Sequence, residues 1–271
     1  MSTPDSILII GGGQMGGALA RGFVASGIAA SSITLIEPSD SKRSDFSSSG
    51  FAVASALTSL DATHTPQVTV LAIKPQGFAE LAPALSAFYR ARAPHLFLSI
   101  LAGTTLASLR DTLGADAPIV RVMPNTPALI GEGISACVAS DSVSSAQRSH
   151  ASSLLATVGE VVWLTNESQL DVATAVSGSG PAYMFHLLEC LVAAGVAHGL
   201  PEDAARHLAI ATMRGASGLA ESSTGSLASL RENVTSPGGT TQAALAVLMP
   251  TLGGLIEATV EAAIARAKQL G

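Results

Sequence analysis

The sequence predicts a mainly parallel α/β domain followed by an all-helical domain. Up to residue 164, short apolar segments rich in β-branched residues alternate with helical segments, which is typical of a parallel sheet covered on both faces. After residue 164, long Ala- and Leu-rich segments interrupted by Gly and Pro take over, and no convincing strand pattern follows. We therefore expect an α/β domain over residues 1–164 and an all-α domain over residues 165–271.

The predicted strands of the first domain share a short and nearly continuous apolar character. They are ILII at 7–10, ITLIE at 33–37, VTVLAI at 68–73, LFLSI at 96–100, IVRVM at 119–123, ISACVA at 134–139 and VVWL at 161–164. Residues 140–147 have the Ser and Asp content of a loop that leads into a helix. An alternation of this kind predicts helices on both faces of the sheet.

In the second domain, residues 181–198 form a predicted helix that is apolar almost all round. Its clearly polar side chains are His186, Glu189 and His198, and a helix that is apolar on every side must be buried on every side. A domain of about a hundred residues can hardly enclose such a helix alone. We therefore predict a homodimer whose helices interleave.

The charge of the chain narrows the classes of partner. A net charge of −6 at pH 7 argues against nucleic acid and against an anionic membrane surface. Lysine is nearly absent, since Lys42, Lys74 and Lys268 are the only ones in the sequence. If the ligand is an anion, main-chain N–H groups and a few arginines must therefore bind it.

The chain also lacks the usual signals of export or membrane insertion. Residues 243–256, the longest apolar run, contain a proline and two glycines, and we expect them to be too short and too broken to cross a bilayer. Residues 1–6 lack the basic start of a signal peptide. Cys137 and Cys190 lie far apart without metal or redox spacing, and suit core positions in a reducing cytosol. We expect a soluble, cytoplasmic protein.

The stretch ILIIGGGQMGGAL joins a predicted strand directly to a predicted helix. It contains a Gly-x-Gly-x-x-Gly pattern at Gly11, Gly13 and Gly16. In this context the first glycine permits a tight turn, the second lets a pyrophosphate approach the main chain, and the third lets helix and sheet pack closely. The helix start at Gln14 and Met15 adds N–H donors and the positive end of a helix dipole. We predict that these five residues bind a dinucleotide.

The residues after the second strand give conflicting signals about the dinucleotide. Glu37 closes that strand, where an acid usually binds the ribose hydroxyls of NAD and repels a 2′-phosphate. Ser39, Lys42 and Arg43 follow at once and could hold that phosphate instead, although Lys42 and Arg43 could equally form a solvated helix start. NADH and NADPH therefore both remain open as the cofactor.

Further candidate residues follow three other predicted strands, where ligands of open α/β sheets lie. They are Ala72, Lys74 and Pro75 after one strand, Ala102 and Gly103 after the next, and Asn125 after a third. We predict cofactor contacts from the first two groups, and a nicotinamide or substrate contact from Asn125 in the stiff Met-Pro-Asn-Thr-Pro loop. Arg121 lies inside a strand, where a structural ion pair is the better explanation.

The helical domain offers no convincing general base for an alcohol substrate. Instead, AVSGSGPAY (175–183) and TSPGGTTQAAL (235–245) each place Gly with Ser or Thr before a predicted helix start. Unpaired N–H groups there could grip a carboxylate. The second motif, with Thr240 or Thr241 oriented by the turn, suggests an anion seat for a small acid. Plain N-capping by a hydroxyl is the alternative.

Taken together, these motifs resemble those of the pyrroline-5-carboxylate reductases. The chain has IIGGGQMGGAL, AIKPQ, RVMPNTPALIGEGISA, VSGSGPAY and ENVTSPGGTTQAAL in the order and at the spacing of that family. The resemblance implies a Rossmann-type dinucleotide-binding domain, an all-α dimerisation domain and often a ring of dimers, such as a homodecamer. It also implies reduction of 1-pyrroline-5-carboxylate to L-proline with NADPH or NADH, the last step of proline biosynthesis.

The resemblance further implies roles for single residues. The main chain of Gly239, Thr240 and Thr241 would seat the substrate carboxylate, the Thr241 hydroxyl would meet the ring nitrogen, and Val234 would contribute main-chain contacts. Because reduction of a protonated C=N bond removes no alcohol proton, this reaction needs no general base.

The sequence departs from the family pattern in two places, and two other functions stay open. Gln14 stands where Asn is common, and Ser226-Leu227 where the family usually shows His-Pro. A β-hydroxyacid dehydrogenase would share the N-terminal pattern, but this chain lacks the expected catalytic Lys in an Asn-x-x-x-Lys-like helix. A non-catalytic NAD(P)-sensing protein would keep the glycine turn but has no reason to keep residues 236–241.

Overall fold

The computed structural model of the protein describes residues 6–61, 63–90 and 95–270. Of residue 270 it describes the main chain only. The chain forms two compact units, one from residues 1–179 with 263–271 and the other from residues 180–262. Within the described residues the first unit contains all the strands and the second only helices and their connections. The predicted fold class is confirmed.

Strands and helices alternate along the first unit. Its elements are β1 (Ile7–Ile10), α1 (Gln14–Ala25), β2 (Ile33–Ile36), α2 (Asp40–Ser48), β3 (Ala52–Ala54), β4 (Val68–Leu71), α3 (Phe78–Tyr89), β5 (Leu96–Ser99), α4 (Leu106–Leu113), β6 (Ile119–Met123), β7 (Gly133–Ala139), α5 (Ser145–Leu155), β8 (Gly159–Trp163) and α6 (Gln169–Ala173). A π-helical turn, Thr174–Gly178, follows. The remaining helices are α7 (Gly180–Ala197), α8 (Glu202–Ser222), α9 (Leu227–Asn233) and α10 (Thr240–Leu270).

The strands form one eight-stranded sheet in the order β3-β2-β1-β4-β5-β6-β7-β8. Neighbouring strands are parallel except for β6 and β7, which agrees with the predicted mainly parallel sheet. β1, β2, β4 and β5 are buried along their whole length, as strands covered by helices on both faces should be. The sequence does not predict β3, because three residues at the sheet edge are too few to show a periodic pattern.

The glycine turn follows β1 at the point where the strand order reverses. β1 pairs with β2 on one side and with β4 on the other. The sheet therefore first grows from β1 towards β2 and β3, and the later strands add to it on the other side of β1. Ligands of open sheets bind outside the carboxyl ends of the strands at such a switch point. Because β1, β2, β4, β5 and β6 run parallel, their carboxyl ends share this edge of the sheet.

The predicted domain boundary after residue 164 stays a prediction. The compact units divide at residue 180 instead, since α6 packs against the first unit and Leu170 is buried in the apolar layer on one face of the sheet.

The two cysteines occupy different environments. Cys137 is fully buried in β7, as predicted, and desolvation raises the pKa of its thiol to about 12, with Arg148 opposing the shift. The thiol is therefore protonated and unreactive at neutral pH. The expectation of a core position is wrong for Cys190, which is exposed on α7 within the single chain, because few residues cover that helix.

Arg121 forms the structural ion pair that the sequence predicts. Its Nη1 lies 2.5 Å from Oε1 of Glu167, and the guanidinium is buried inside the sheet. The same Glu167 oxygen accepts the Leu106 amide at 2.6 Å, at the start of α4. The Glu167 carboxylate therefore links β6 to the start of α4.

We expect Glu167→Gln to lower the free energy of unfolding by about 1–2 kcal/mol, because it leaves the buried Arg121 without its counter-charge. Urea unfolding at neutral pH measures this change. Asp141→Asn is the matched control, since it breaks an exposed Arg110–Asp141 pair of 3.8 Å and should leave the midpoint unchanged. Equal midpoints for both variants would contradict a structural role for the Arg121–Glu167 pair.

The long helices of the second unit are apolar but largely uncovered in the single chain. α7 has Gly180 as its one buried residue, and α10 has none among those described. Phe185 on α7 is 59% exposed and Val247 on α10 is 78% exposed. Such a surface is far more apolar than that of an ordinary soluble monomer.

Residues 243–256, which we expect to be too short and too broken to cross a bilayer, lie inside a longer helix. α10 continues through Pro250 for 31 residues, because a proline removes one main-chain hydrogen bond without ending every helix. Two stretches, Gln169–Ala197 and Thr240–Gln269, are long and apolar enough to cross a membrane by length and composition alone. This is weak evidence, since the core helices of soluble proteins meet the same criterion.

Candidate active site

Three glycines shape the turn after β1. Gly11 has a φ of +108°, and a Cβ on it would lie 2.5 Å from the Ala72 carbonyl oxygen, so a side chain fits neither the conformation nor the space. A Cβ on Gly16 would collide with the Gly11 carbonyl oxygen. At Gly13 no described atom lies within 4 Å of such a Cβ. The turn is thus closely packed on its inner side and open at Gly13, as the approach of a pyrophosphate requires.

Helix α1 begins directly at this turn with its amides uncapped. It has no side-chain cap and no acidic residue in its first turn, and first-turn amides lack an intrahelical acceptor. Gln14 is exposed, whereas the Met15 side chain packs against the core. The positive end of the helix dipole lies beside the open glycine. These residues fit the phosphates of a dinucleotide.

Glu37 is buried at the end of β2 and its carboxylate bonds to the glycine turn. Oε2 accepts the Gly12 amide and Oε1 accepts the Ser39 amide, each at 3.0 Å. Lys42 Nζ lies 3.9 Å from Oε2. Sequence reasoning missed Gly12, although the run of three glycines was a signal: a Cβ there would meet Phe46 at 2.7 Å and Glu37 at 3.0 Å.

Arg43 is engaged by the turn between β2 and α2. Its Nη1 donates to the main-chain carbonyls of Glu37 at 2.7 Å and Pro38 at 2.6 Å, and its Nη2 pairs with Asp40. The hydroxyl of Ser39 bonds to that of Ser41. Ser39 and Arg43 are therefore engaged within their own loop, whereas Lys42, the third side chain that the sequence offers for a 2′-phosphate, is about half exposed.

The loop after β4 lies against the glycine turn. The Ala72 amide donates to the Ile10 carbonyl at 2.8 Å, and its Cβ would be 3.1 Å from one placed on Gly16. Lys74 is exposed, and Pro75 begins a short 3₁₀ turn, Pro75–Gly77. Ala72 thus contacts the predicted pyrophosphate site, while Lys74 and Pro75 lie further along the same edge.

The loop after β5 makes a tight turn at the same edge of the sheet. Gly103 has a φ of +78°, and the Thr104 amide donates to the Leu101 carbonyl at 3.3 Å. Ala102 and Gly103 are half-buried. A small residue with positive φ lets the main chain turn close to the sheet edge.

Asn125, after β6, is 9% exposed and bonds to two main-chain groups. Its Oδ1 accepts the Ile134 amide at 2.9 Å, and its Nδ2 donates to the Ser177 carbonyl at 3.1 Å. That carbonyl would normally accept from the residue four positions on, which is Pro181 and has no N–H. Asn125 thus satisfies a carbonyl that Pro181 leaves free, and one Nδ2 hydrogen remains for a ligand.

The prediction that AVSGSGPAY opens a helix with unpaired amides is wrong. Gly178 lies in the π-helical turn, and the Ser179 amide donates to the Thr174 carbonyl at 2.8 Å. The chain before Pro181 is therefore already helical, so its amides are not left free to seat an anion. The sequence alone could not show this, because Gly-Pro also marks helix starts.

The second motif does form a turn before a helix. The Gly239 amide donates to the Ser236 carbonyl at 3.0 Å and Gly238 has a φ of +72°, as in a type II turn with Pro237 and Gly238 at its centre. Helix α10 then begins at Thr240.

The amides at this helix start differ in availability. The Gly239 amide is occupied by Ser236, whereas those of Thr240 and Thr241 donate in no hydrogen bond found among the described residues. Gln242, which sequence reasoning missed, accepts the Gly238 amide with Oε1 at 2.6 Å. In the sequence, the role of Gln242 was indicated only by its position three residues after the Gly238-Gly239 pair.

The segment before this turn is a short, capped helix. Ser226 is the N-cap of α9 and accepts the Ser229 amide at 3.1 Å, so the serine that replaces the family's histidine still starts a helix. Val234 ends α9 and is 61% exposed.

The strand order, the glycine turn at the switch point and the helical second unit define a Rossmann-type dinucleotide-binding oxidoreductase. Residues 6–103 match the domain family described as NADP oxidoreductase coenzyme F420-dependent, and residues 167–270 match pyrroline-5-carboxylate reductase dimerisation. The chain is 40% identical over 271 residues to the pyrroline-5-carboxylate reductase of Pseudomonas aeruginosa, covering all of this chain and 98% of that protein. The chain belongs to the pyrroline-5-carboxylate reductase family.

Solved structures agree with this assignment. A pyrroline-5-carboxylate reductase from Coxiella burnetii is 33% identical, with a TM-score of 0.92 over 100% of this chain and 99% of that one. The pyrroline carboxylate reductase of Plasmodium falciparum, solved with NADP bound, is 29% identical with a TM-score of 0.85 over 98% of each chain.

Proposed function

We propose that this protein reduces 1-pyrroline-5-carboxylate to L-proline with NADH or NADPH, the last step of proline biosynthesis. The observation that carries the proposal is the turn at residues 236–239, which opens α10 with the amides of Thr240 and Thr241 unpaired. Main-chain amides at a helix start bind a carboxylate without a basic side chain. The full-length similarity to pyrroline-5-carboxylate reductases supports the same function.

The substrate residues have distinct roles in this proposal. The amides of Thr240 and Thr241 bind the carboxylate, Gly239 keeps the approach free of a side chain, and the Thr241 hydroxyl bonds to the ring nitrogen. The main chain of Val234 and the remaining Nδ2 hydrogen of Asn125 contribute polar contacts. Because the imine arrives protonated and the bound dinucleotide supplies the hydride, these residues orient the substrate and need remove no proton.

The cofactor residues lie along the carboxyl edge of the sheet. Gly11, Gly13, Gly16 and the first amides of α1, at Gln14 and Met15, hold the pyrophosphate. Glu37, Ser39 and Arg43 form the wall next to the adenine ribose. The contacts on the other side of the cofactor come from Ala72, Lys74, Pro75, Ala102 and Gly103.

A direct assay tests the activity. Purified protein is mixed with 1-pyrroline-5-carboxylate and either reduced cofactor, and the nicotinamide absorbance is followed. We expect consumption that depends on both substrate and protein. A β-hydroxyacid with the oxidised cofactor tests the rival dehydrogenase. Absence of turnover above the blank with both reduced cofactors would overturn the proposal.

The protein acts as a homo-oligomer, which we propose is a dimer with interleaved helices. The dimerisation family matches residues 167–270, the part of the chain in which α7 and α10 leave Phe185, Leu191 and Val247 at least half exposed. Burial of such helices against a second copy removes this apolar surface from water. We further propose that such dimers assemble into a ring and that the protein is cytoplasmic. We also propose that the boundary between its two domains follows residue 164.

We expect Leu191→Glu to raise the dissociation constant of the dimer by at least about a hundred-fold, because it places a charge in an apolar interface. Analytical ultracentrifugation over a concentration series measures the change. Val24→Glu, at an exposed apolar position on α1, is the control and should leave the assembly intact. A wild type that is monomeric at micromolar concentration, or that needs detergent to stay in solution, would contradict the proposed dimer.

A further inference from the structure

We infer that this chain selects the dinucleotide without a 2′-phosphate, NADH over NADPH, with Glu37 as the specificity-determining residue and Arg43 as a positioning residue. The inference rests on the proposed function, because it concerns the same cofactor site. It follows from the hydrogen bonds of the turn between β2 and α2.

Glu37 is fixed in place by its own chain. Two main-chain amides, those of Gly12 and Ser39, each donate to a different oxygen of its carboxylate at 3.0 Å. Because Glu37 is 6% exposed, the carboxylate is held rigidly and has little freedom to turn away from a ligand. A carboxylate has about four lone-pair sites, so acceptors remain for ribose hydroxyls. A phosphate in the same place offers only further negative charge.

Arg43 is not available to neutralise that charge. Its Nη1 bonds to two main-chain carbonyls and its Nη2 to Asp40, all within the same turn. To bind a phosphate, the guanidinium would have to release carbonyls that then lose their donor. Its structural task is to hold the peptides of Glu37 and Pro38, and thereby the direction of the carboxylate.

The other charged side chains near the turn do not cancel the repulsion between Glu37 and a 2′-phosphate. Arg21, Lys42 and Asp45 line a cavity of ≈ 340 Å³ next to Gly12 and Gly13, and Lys42 lies 3.9 Å from Glu37 itself. With Asp40 paired to Arg43, acids and bases around the turn offset each other and leave no surplus of positive charge.

Besides the side chains of Arg21 and Lys42, the start of helix α2 also attracts a 2′-phosphate. The helix begins at Asp40, and a helix start carries the equivalent of about half a positive charge. Asp40 in the first turn already opposes that half-charge, and the full charge of Glu37 outweighs it. Repulsion of the 2′-phosphate therefore wins.

Two adenosine fragments isolate this part of the cofactor site from the reaction. Calorimetric titration compares adenosine 5′-monophosphate with adenosine 2′,5′-bisphosphate, and kinetics compares kcat/KM for NADH and NADPH. For the wild type we expect NADH to be favoured by at least about tenfold, equal to about 1.4 kcal/mol. Tighter binding of the bisphosphate by the wild type would overturn the inference.

Four variants separate the roles of the residues. Glu37→Ser should shift the ratio of the two fragments towards the bisphosphate by at least about tenfold, and Glu37→Gln, which keeps an acceptor, should do the same if the serine variant folds poorly. Arg43→Ala should weaken both fragments by a similar factor, since it loosens the turn. Asp111→Asn removes an exposed acid on α4 and should leave the ratio unchanged.

The outcomes also separate this inference from the proposed function. Selective loss of the bisphosphate in Arg43→Ala would make Arg43 a phosphate ligand and refute the inference, whatever the activity. An unchanged ratio in both Glu37 variants would refute the role of Glu37. Fragment preferences as expected, without reduction of 1-pyrroline-5-carboxylate, would refute the activity alone.

Discussion

Gly11→Ala is expected to abolish measurable dinucleotide binding and to lower the free energy of unfolding by about 2–4 kcal/mol. The added Cβ would lie 2.5 Å from a main-chain oxygen, that of Ala72, which belongs to the loop after a buried strand. It would also impose a φ of +108° on a residue with a side chain, a conformation that L-residues rarely adopt. Both costs fall on the fold itself.

Gly13→Ala is the matched comparison, because its effect should be confined to the ligand. Gly13 has an extended conformation, with φ −70° and ψ −172°, that alanine adopts freely, and its Cβ would meet no described atom within 4 Å. We expect cofactor affinity to fall by about a hundred-fold, equal to about 2.7 kcal/mol, while thermal unfolding without cofactor stays near that of the wild type.

Calorimetric titration with NADH and thermal unfolding of the free protein measure the two quantities for both variants. We expect Gly11→Ala to lose both cofactor binding and stability, and Gly13→Ala to lose cofactor binding alone. If Gly13→Ala bound the cofactor as tightly as the wild type, the pyrophosphate would not lie over this turn. If Gly11→Ala were as stable as the wild type, the close packing between the glycine turn and the loop after β4 would be wrong.

Thr241→Val is expected to lower kcat for 1-pyrroline-5-carboxylate by about a hundred-fold, equal to about 2.7 kcal/mol of transition-state stabilisation, and to leave cofactor affinity unchanged. Valine has the size of threonine but lacks the hydroxyl that we place at the ring nitrogen. Without that bond the imine loses its orientation towards the hydride donor. Because Thr241 lies in the first turn of α10, the helix itself should form normally.

Thr241→Ser is the control, since it restores a hydroxyl at the same position and should recover most of the activity. Steady-state kinetics with the substrate and titration with the cofactor separate the two effects. A loss of cofactor affinity in Thr241→Val would mean that the residue is misassigned. Equal activity of the valine and serine variants would exclude the hydroxyl from the reaction.

Most of the fold follows from local sequence patterns. The apolar runs at β1, β2, β4, β5 and β6 predict parallel strands because each must be covered on both faces. The exception is β3, whose pairing with β2 is determined by the fold and not by its three residues. The helical second unit follows as well, although only the structure shows that α10 continues through Pro250.

The candidate site was less accessible to sequence reasoning where segments distant in sequence meet. Asn125 is singled out by its loop, yet its bond to the Ser177 carbonyl depends on a proline four residues beyond that carbonyl and on the packing that brings the two segments together. The same packing explains why VSGSGPAY forms no free helix start. A local pattern specifies a conformation, whereas a long-range hydrogen bond requires the tertiary structure.

By itself, the sequence determined the alternation of strands and helices, the glycine turn and the Ser-Pro-Gly-Gly turn, because glycine permits positive φ and proline fixes φ wherever they occur. Only the tertiary structure decided that Glu37 is held by the Gly12 and Ser39 amides and that α7 and α10 remain uncovered in one chain. Strand order decides which loops meet at the sheet edge, and the available surfaces decide which helix faces are buried. Neither is encoded in a short stretch of residues.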